Sequence, residues 1–338
     1  MPAAGAPRSA AAVLDAIHGA GLLGDAVVGP GPVLLMCSAG RDSHTLLDAA
    51  VRLRGAEGVR VLHVDHGLRA GAADDAAQMQ ARCAELGVAV TVRRADARLP
   101  TGNLHAWARA ERARLAAAER EAAGVTTIAT AHTRSDLAET ALARFATQPG
   151  RRALLAMRAR EDGLVRPLLG ITREETATYC RERGIAYRDD PSNADPRFQR
   201  ARIRHAVLPV LRALNPAAEE AITRTLADLA AESEALDVLV AAELQEDPDG
   251  GGQTVDLARL GALPAAVARL VLRALCESAI GGPCPRAASR LDEVLALGAA
   301  AARAGLAAVD VGGGARIEVR GGLVRCVPSR GPAAPSSA

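Results

Sequence analysis

The chain has 338 residues, enough for two or three domains, and 49% of them are apolar, so a sizeable core is possible. Its 41 basic and 39 acidic side chains leave a formal net charge of +2, which excludes a uniformly basic nucleic-acid coat. One Trp, two Tyr and two Phe exclude an aromatic base-stacking platform of any size, and the absence of Lys excludes a Walker A loop, which needs one.

Taken in chain order, residues 1–28 read as a loose Ala/Pro/Gly-rich start and a lead-in helix. The apolar run 33–37, VLLMC, predicts a buried parallel strand. A helical pattern follows from Ser43 to about Arg54. Residues 59–65, 88–94 and 125–131 read as three more strands, each followed by a helix, over 71–86, 103–123 and 135–146. Strand then helix, four times over, predicts an α/β fold: an open parallel sheet with helices on both faces. Ligands of such sheets bind beyond the carboxyl ends of the strands, where the polar clusters 38–43, 65–69 and 132–139 fall.

After Pro149-Gly150 the texture changes. LVRPLLG (164–170) predicts a fifth strand. Thr172 and Glu175 have the spacing of a capping box at the start of a helix over 172–184. A polar loop covers 189–202, and helices dominate from 203 to about 245. EDPDGGGQ (246–253) reads as a linker. Two helical segments and a strand pair over 316–327 complete a small α+β portion, and the tail 331–338 reads as disordered. The domains expected are therefore 1–28 as lead-in, 29–215 as catalytic, 216–250 as helical linker and 251–330 as a C-terminal domain. Residues 151–212 hold fourteen Arg against eight Asp and Glu, a local excess suited to phosphates or to a solvated helix face. No two of the six cysteines form a C-x-x-C pair, so a zinc ribbon or redox dithiol is not expected. With no apolar leader and no long apolar run, the expectation is a soluble cytoplasmic protein with no membrane contact.

The segment Ser38-Ala39-Gly40-Arg41-Asp42-Ser43 links the first strand to its helix. Small residues there let backbone amides and a helix N-terminus surround an anion, the two Ser hydroxyls add donors and Arg41 adds charge. Asp42 fits such a cradle when a Mg²⁺ ion lies between it and phosphate oxygens. A Ser-rich helix cap is the plain alternative.

The hexapeptide resembles the S-G-G-x-D-S loop of the N-type ATP pyrophosphatases (PP-loop superfamily), with Ala39 in place of the first Gly. His63-Val64-Asp65-His66-Gly67-Leu68-Arg69, Ala108-Arg109 with Arg112, Ala131-His132 through Asp136 and Glu139-Thr140, Arg166-Pro167-Leu168-Leu169, and Asp190-Pro191-Ser192-Asn193 through Arg202-Ile203-Arg204 are similar, in order, to segments of the tRNA(Ile)-lysidine synthetase family. The resemblance runs from about residue 30 to 216. It departs at Ser135, often Asp, at Leu137, often Gln, at His105, Ala113 and Ala201, and at the loop 147–150.

The resemblance implies an adenine nucleotide alpha hydrolase-like sheet. It implies an enzyme that uses ATP and Mg²⁺ to adenylate the C2 oxygen of the wobble cytidine in the CAU anticodon of tRNA(Ile). L-lysine then displaces AMP to give lysidine. Ser38 to Ser43 would hold the pyrophosphate end of ATP and Asp42 the metal. Asp65 would face ATP, or simply form the turn before Gly67. His132 would touch the nucleotide or carry a proton, or be structural. Asp136 and Glu139 would hold the lysine ammonium, or act as N-cap and third-position partner of their helix. Arg109, Arg112, Asn193, Arg200, Arg202 and Arg204 would meet ATP or tRNA phosphates, or form surface ion pairs. The C-terminal portion would grip tRNA. A tRNA thiolase, an amide-forming ligase and a nucleotide-binding relative without catalysis are the rivals. Nothing in the residues fixes the oligomeric state, and a homodimer stays open.

Overall fold

The computed structural model describes residues 7–67, 71–95, 104–147, 150–155, 157–188, 197–250 and 252–329. In chain order the first elements are α1 (Ala10–Gly19), α2 (Asp25–Val28), β1 (Val33–Met36), α3 (Arg41–Arg54), β2 (Val59–Asp65), α4 (Ala72–Leu86), β3 (Ala89–Arg94), α5 (Leu104–Ala122), β4 (Ile128–Thr130), α6 (Arg134–Thr147), α7 (Arg151–Leu154), β5 (Arg160–Glu161), β6 (Leu164–Val165) and α8 (Arg173–Glu182). There follow α9 (Gln199–Arg202), a π-helical turn (Ile203–Val207), α10 (Leu208–Leu214), α11 (Ala218–Glu243), β7 (Gln245–Glu246), β8 (Gln253–Asp256), α12 (Leu257–Ala262), α13 (Ala265–Ile280), α14 (Leu291–Ala304), β9 (Ala307–Gly312), β10 (Ala315–Arg320) and β11 (Leu323–Pro328). Two compact units result, one ending at Ala227 and the other beginning at Asp228.

The first unit holds a six-stranded sheet in the order β3-β2-β1-β4-β6-β5. All neighbours are parallel except β5, which returns antiparallel to β6 at the edge. β1 lies between β2 and β4, with Leu34 opposite Arg60 on one side and Ile128 on the other. The chain thus winds from β1 to β3 in one direction and from β4 in the other. The reversal leaves a crevice beyond the carboxyl ends of β1 and β4, where open α/β sheets bind ligands.

Alternation along β1 buries both faces of the sheet. Val33 and Leu35 point into a cluster with Ile17, Leu46, Leu47 and Tyr179, whereas Leu34 joins Leu62 and Ala116 on the other face. Each fully buried Leu contributes about 1.5–3 kcal/mol, so helices must cover both faces, as α3 and α8 do on one and α5 on the other.

Two expectations need correction. The fifth strand is only Leu164–Val165, because Pro167 lacks the N–H that a central strand needs and the chain turns at Leu168. Helices dominate from 203 to 243 as expected, in several pieces. Pro209 removes a helical N–H, and a π turn precedes it; Asn215, placed before Pro216, is extended at φ −147° and ψ 111°, as its neighbour's ring requires. The EDPDGGGQ stretch is no linker but a hairpin turn between β7 and β8, closed by the Asp247 amide donating to Gly252 O at 2.9 Å.

The second unit is an antiparallel sheet in the order β7-β8-β11-β10-β9. The expected strand pair is its centre, β10 and β11. Val271, Leu272, Leu275, Ile317, Val319 and Val324 fill its core with α13 and α14.

Candidate active site

The loop after β1 opens directly into the crevice. Ser38 N–H donates to Ser43 Oγ at 2.9 Å, and the two Ser hydroxyls lie 3.0 Å apart. The Ser43 hydroxyl therefore ties the loop to the first turn of α3. Gly40 is the N-cap of α3, and no side chain caps it. The first-turn amides are thus left for an external acceptor, with the positive end of the helix dipole behind them. Ala39 is buried and free of positive φ, so its methyl in place of Gly brings no backbone strain.

Asp42 faces α8. Its Oδ1 accepts from Thr176 Oγ1 at 2.5 Å and its Oδ2 from Arg173 Nη2 at 3.4 Å, with Arg41 Nε 3.7 Å away. Burial raises the Asp42 pKa, and Arg173 and Thr176 only partly offset that; Asp136 adds to the rise. Arg173 and Thr176 were not legible as site residues: they belong to a capped helix 131 and 134 positions from their partner, and no motif marks them.

At the end of β4, His132 Nδ1 shares a 2.9 Å hydrogen bond with Thr130 Oγ1. Burial lowers its pKa to about 4; Asp136 opposes this, but Arg166, Arg200 and Arg112 reinforce it. The imidazole is neutral at pH 7. The start of α6 is a capping box three residues earlier than the spacing of Asp136 and Glu139 had indicated. Thr133 is the N-cap residue, and Asp136 Oδ2 accepts from Thr133 N–H at 2.9 Å while Thr133 Oγ1 accepts from Asp136 N–H at 3.3 Å. Burial pushes the Asp136 carboxyl up, but Thr133 and Arg173 draw it below its ordinary value.

Glu139 has no solvent exposure. Arg204 grips it bidentately, through Nε at 2.6 Å and Nη2 at 2.8 Å, and lies 3.9 Å from Asp136. Burial raises the Glu139 pKa against the pull of Arg204. The structure thus gives Arg204 to the two carboxylates rather than to an open phosphate site. The two acids thus carry a counter-cation from the protein itself.

Among the described residues, Arg109, Arg112, Arg144 and Arg200 have no carboxylate partner. Arg200 donates to Thr140 Oγ1 at 3.0 Å and Arg144 to Ala153 O at 2.5 Å. Arg112 is exposed; desolvation, then Arg109 and Arg200, lower its pKa. Arg144 is lowered by burial, then by Arg200 and Arg109. Like charges left uncompensated at close quarters raise the local positive potential. Sequence reasoning missed Arg144, and the only available signal was its place one turn beyond Thr140. Arg202 is exposed. Asp65 forms the turn: its Oδ1 accepts from Gly67 N–H at 2.7 Å. Asn193 lies outside the described residues. Cys37 is buried, and burial followed by Cys83 pushes its thiol far up, so it is no thiolate nucleophile of the kind a thiolase would use.

Residues 22–211 match the family model of the PP-loop domain. The tRNA(Ile)-lysidine synthase of Salinispora tropica is 39% identical over 255 residues, covering 72% of this chain and 76% of that protein. The chain belongs to the tRNA(Ile)-lysidine synthase family. The tRNA(Ile)-lysidine synthase of Thermobifida fusca is 36% identical over 276 residues, covering 78% of this chain and 82% of that one. Among solved structures, the U34-tRNA thiolase NcsA from Methanococcus maripaludis matches with a TM-score of 0.55 at 14% identity, over 65% of this chain and 78% of that one. That likeness is one of fold.

Proposed function

We propose that this chain ligates L-lysine to C2 of the wobble cytidine of tRNA(Ile) bearing a CAU anticodon, at the cost of ATP going to AMP and diphosphate. Membership of the lysidine synthase family supports the reading. The observation that carries it is a juxtaposition: an uncapped helix N-terminus at the end of β1 beside a carboxylate pair at the end of β4 that already binds a guanidinium.

The chemistry needs two displacements. The C2 oxygen of cytidine attacks the α-phosphorus of ATP, and the bond to diphosphate breaks. The ε-amine of lysine then attacks C2, and AMP departs with that oxygen. The loop 38–43 suits the diphosphate end of ATP, through the free amides of α3. Arg109, Arg112, Arg144 and Arg200 suit the remaining phosphates, of ATP or of the anticodon backbone. Neutral His132 sits beside them as a hydrogen-bond partner or proton acceptor. Asp136 and Glu139 suit the lysine ammonium, which would replace the Arg204 guanidinium, a cation for a cation.

The donor set fits Mg²⁺, a hard cation that binds one or two carboxylates and completes its shell with phosphate oxygens. Asp42 would hold it, exchanging the Arg173 contact for the ion, and the ion would supply charge neutralisation on the departing diphosphate. Among the described residues no helix is long and apolar enough to cross a membrane, and cytoplasmic tRNA is the substrate we assign.

The test is direct. The protein is incubated with ATP, Mg²⁺, labelled lysine and tRNA(Ile) with a CAU anticodon. Label in the tRNA, with one AMP per lysine, is the expected result. ATP binding without transfer would refute the reading.

A further inference from the structure

A buried relay reaches the ATP loop from an unexpected helix. Glu219, in the first turn of α11, accepts a hydrogen bond from Ser135 Oγ at 3.1 Å. Ser135 Oγ in turn accepts from the Arg173 N–H, the first amide of α8, at 3.2 Å. Ser135 and Glu219 are 2% and 5% exposed, so water does not substitute for either bond. The other Glu219 oxygen pairs with Arg212, which also holds Glu174 at 3.0 Å. Arg173 and Thr176, on the same turn of α8, are the two groups from that helix that hold the Asp42 carboxylate.

The geometry points to Glu219 as a positioning residue for the ATP-binding loop, acting through Ser135 and the start of α8. This rests on the function proposed above. A hydroxyl has one proton. Given to Glu219, it leaves the oxygen lone pairs aimed at the Arg173 amide, and each bond polarises the other. The N-terminus of α8 is then fixed by a buried charge on α11, and with it the two groups that orient Asp42. Position 135 is the one at which this chain has Ser where the resembling motif often has Asp. In this chain Glu219 brings a carboxylate from another helix to that point.

The test is a set of variants assayed for ATP-dependent lysine incorporation into tRNA, with ATP and lysine varied separately. Ser135→Ala and Glu219→Gln are each expected to raise the KM for ATP about fivefold, the worth of one net hydrogen bond. The KM for lysine and kcat should stay within about twofold. The Ser135→Ala/Glu219→Gln double variant should be no worse than either single one, because both break the same relay. Ser135→Asp alone sets two carboxylates against each other and should be poorer still. Ser135→Asp/Glu219→Gln, which restores one carboxylate to the pair, should recover the wild-type KM for ATP. An unchanged KM for ATP in both single variants would overturn the proposal, as would additive effects or a parallel rise for lysine. If Glu219→Gln fails to fold, Ser135→Ala and binding of a fluorescent ATP analogue decide the matter by the same criterion. A wild-type chain without lysine transfer would refute the function; wild-type transfer with unmoved ATP constants would refute only the relay.

Discussion

Asp42 carries the sharpest expectation among single residues. Its carboxylate is the acid at the uncapped start of α3, so Asp42→Ala should abolish diphosphate release while the circular dichroism spectrum stays unchanged. Near-normal release would remove it from the chemistry. Glu139, the lysine ligand we propose, has Arg204 as its partner in the free protein. Glu139→Gln should raise the KM for lysine at least tenfold and leave tRNA binding within about twofold, since a neutral amide cannot match an ammonium. Glu139→Ala should also cost about 3 kcal/mol of stability, for it leaves Arg204 without its main partner. His44 gives a pH test. It is buried, neither ring nitrogen has a hydrogen-bond partner, and burial lowers its pKa from 6.5 to about 4. Between those values the unfolded chain binds the proton and the folded chain does not, so stability falls as pH drops from 6.5 towards 4. His44→Leu should shrink the Tm difference between pH 7 and pH 4.5; an unaltered difference would mean that other groups dominate the acid limb.

Elements are tied together by buried ions as well as by apolar faces. Asp48 of α3 is 3% exposed and accepts from Arg52 at 2.8 Å, Arg82 of α4 at 3.2 Å and Tyr179 of α8 at 2.7 Å. Removing the carboxylate strands three groups on three helices. Asp48→Ala should therefore cost at least about 3 kcal/mol in urea unfolding, whereas the same change at exposed Asp25 should cost less than about 1 kcal/mol. Helix α8 illustrates how much of an element a local pattern fixes. Thr172 and Glu175 form the reciprocal capping box that their spacing predicted. What the helix then does, presenting Arg173 and Thr176 to Asp42, depends on where it packs and is invisible in its own ten residues. The strand elements missed in the second unit have the same explanation. β7 has two residues and β8 four, too few for alternation to register; β8 is fixed by pairing with β11, and β7 by pairing with β8.

For the whole molecule, the charge balance of +2 means that tRNA cannot be drawn in by a general positive field. Attraction must be local, and the cluster of Arg109, Arg112, Arg144 and Arg200 is the local source we propose. Binding of tRNA in the absence of ATP should weaken with salt, with a slope of log K against log salt near −3, from about −0.7 per single-strand phosphate contact. Arg144→Ala should make that slope shallower by about 0.7. A slope near zero would assign the cluster to ATP alone or to neither ligand.

The sequence by itself determined the strand-helix alternation, the crevice at the end of β1 and the family, because each rests on short-range patterns: apolar runs, turn residues and motifs a few positions long. Ser38 to Ser43 could be placed at a helix start from their neighbours alone. The tertiary structure decided who meets whom. That Arg204 closes on Glu139, that Arg173 holds Asp42 and that Glu219 reaches Ser135 are contacts across 65, 131 and 84 positions. Buried charges must find opposite charges or donors wherever the packing brings them, and no periodicity along the chain records that choice.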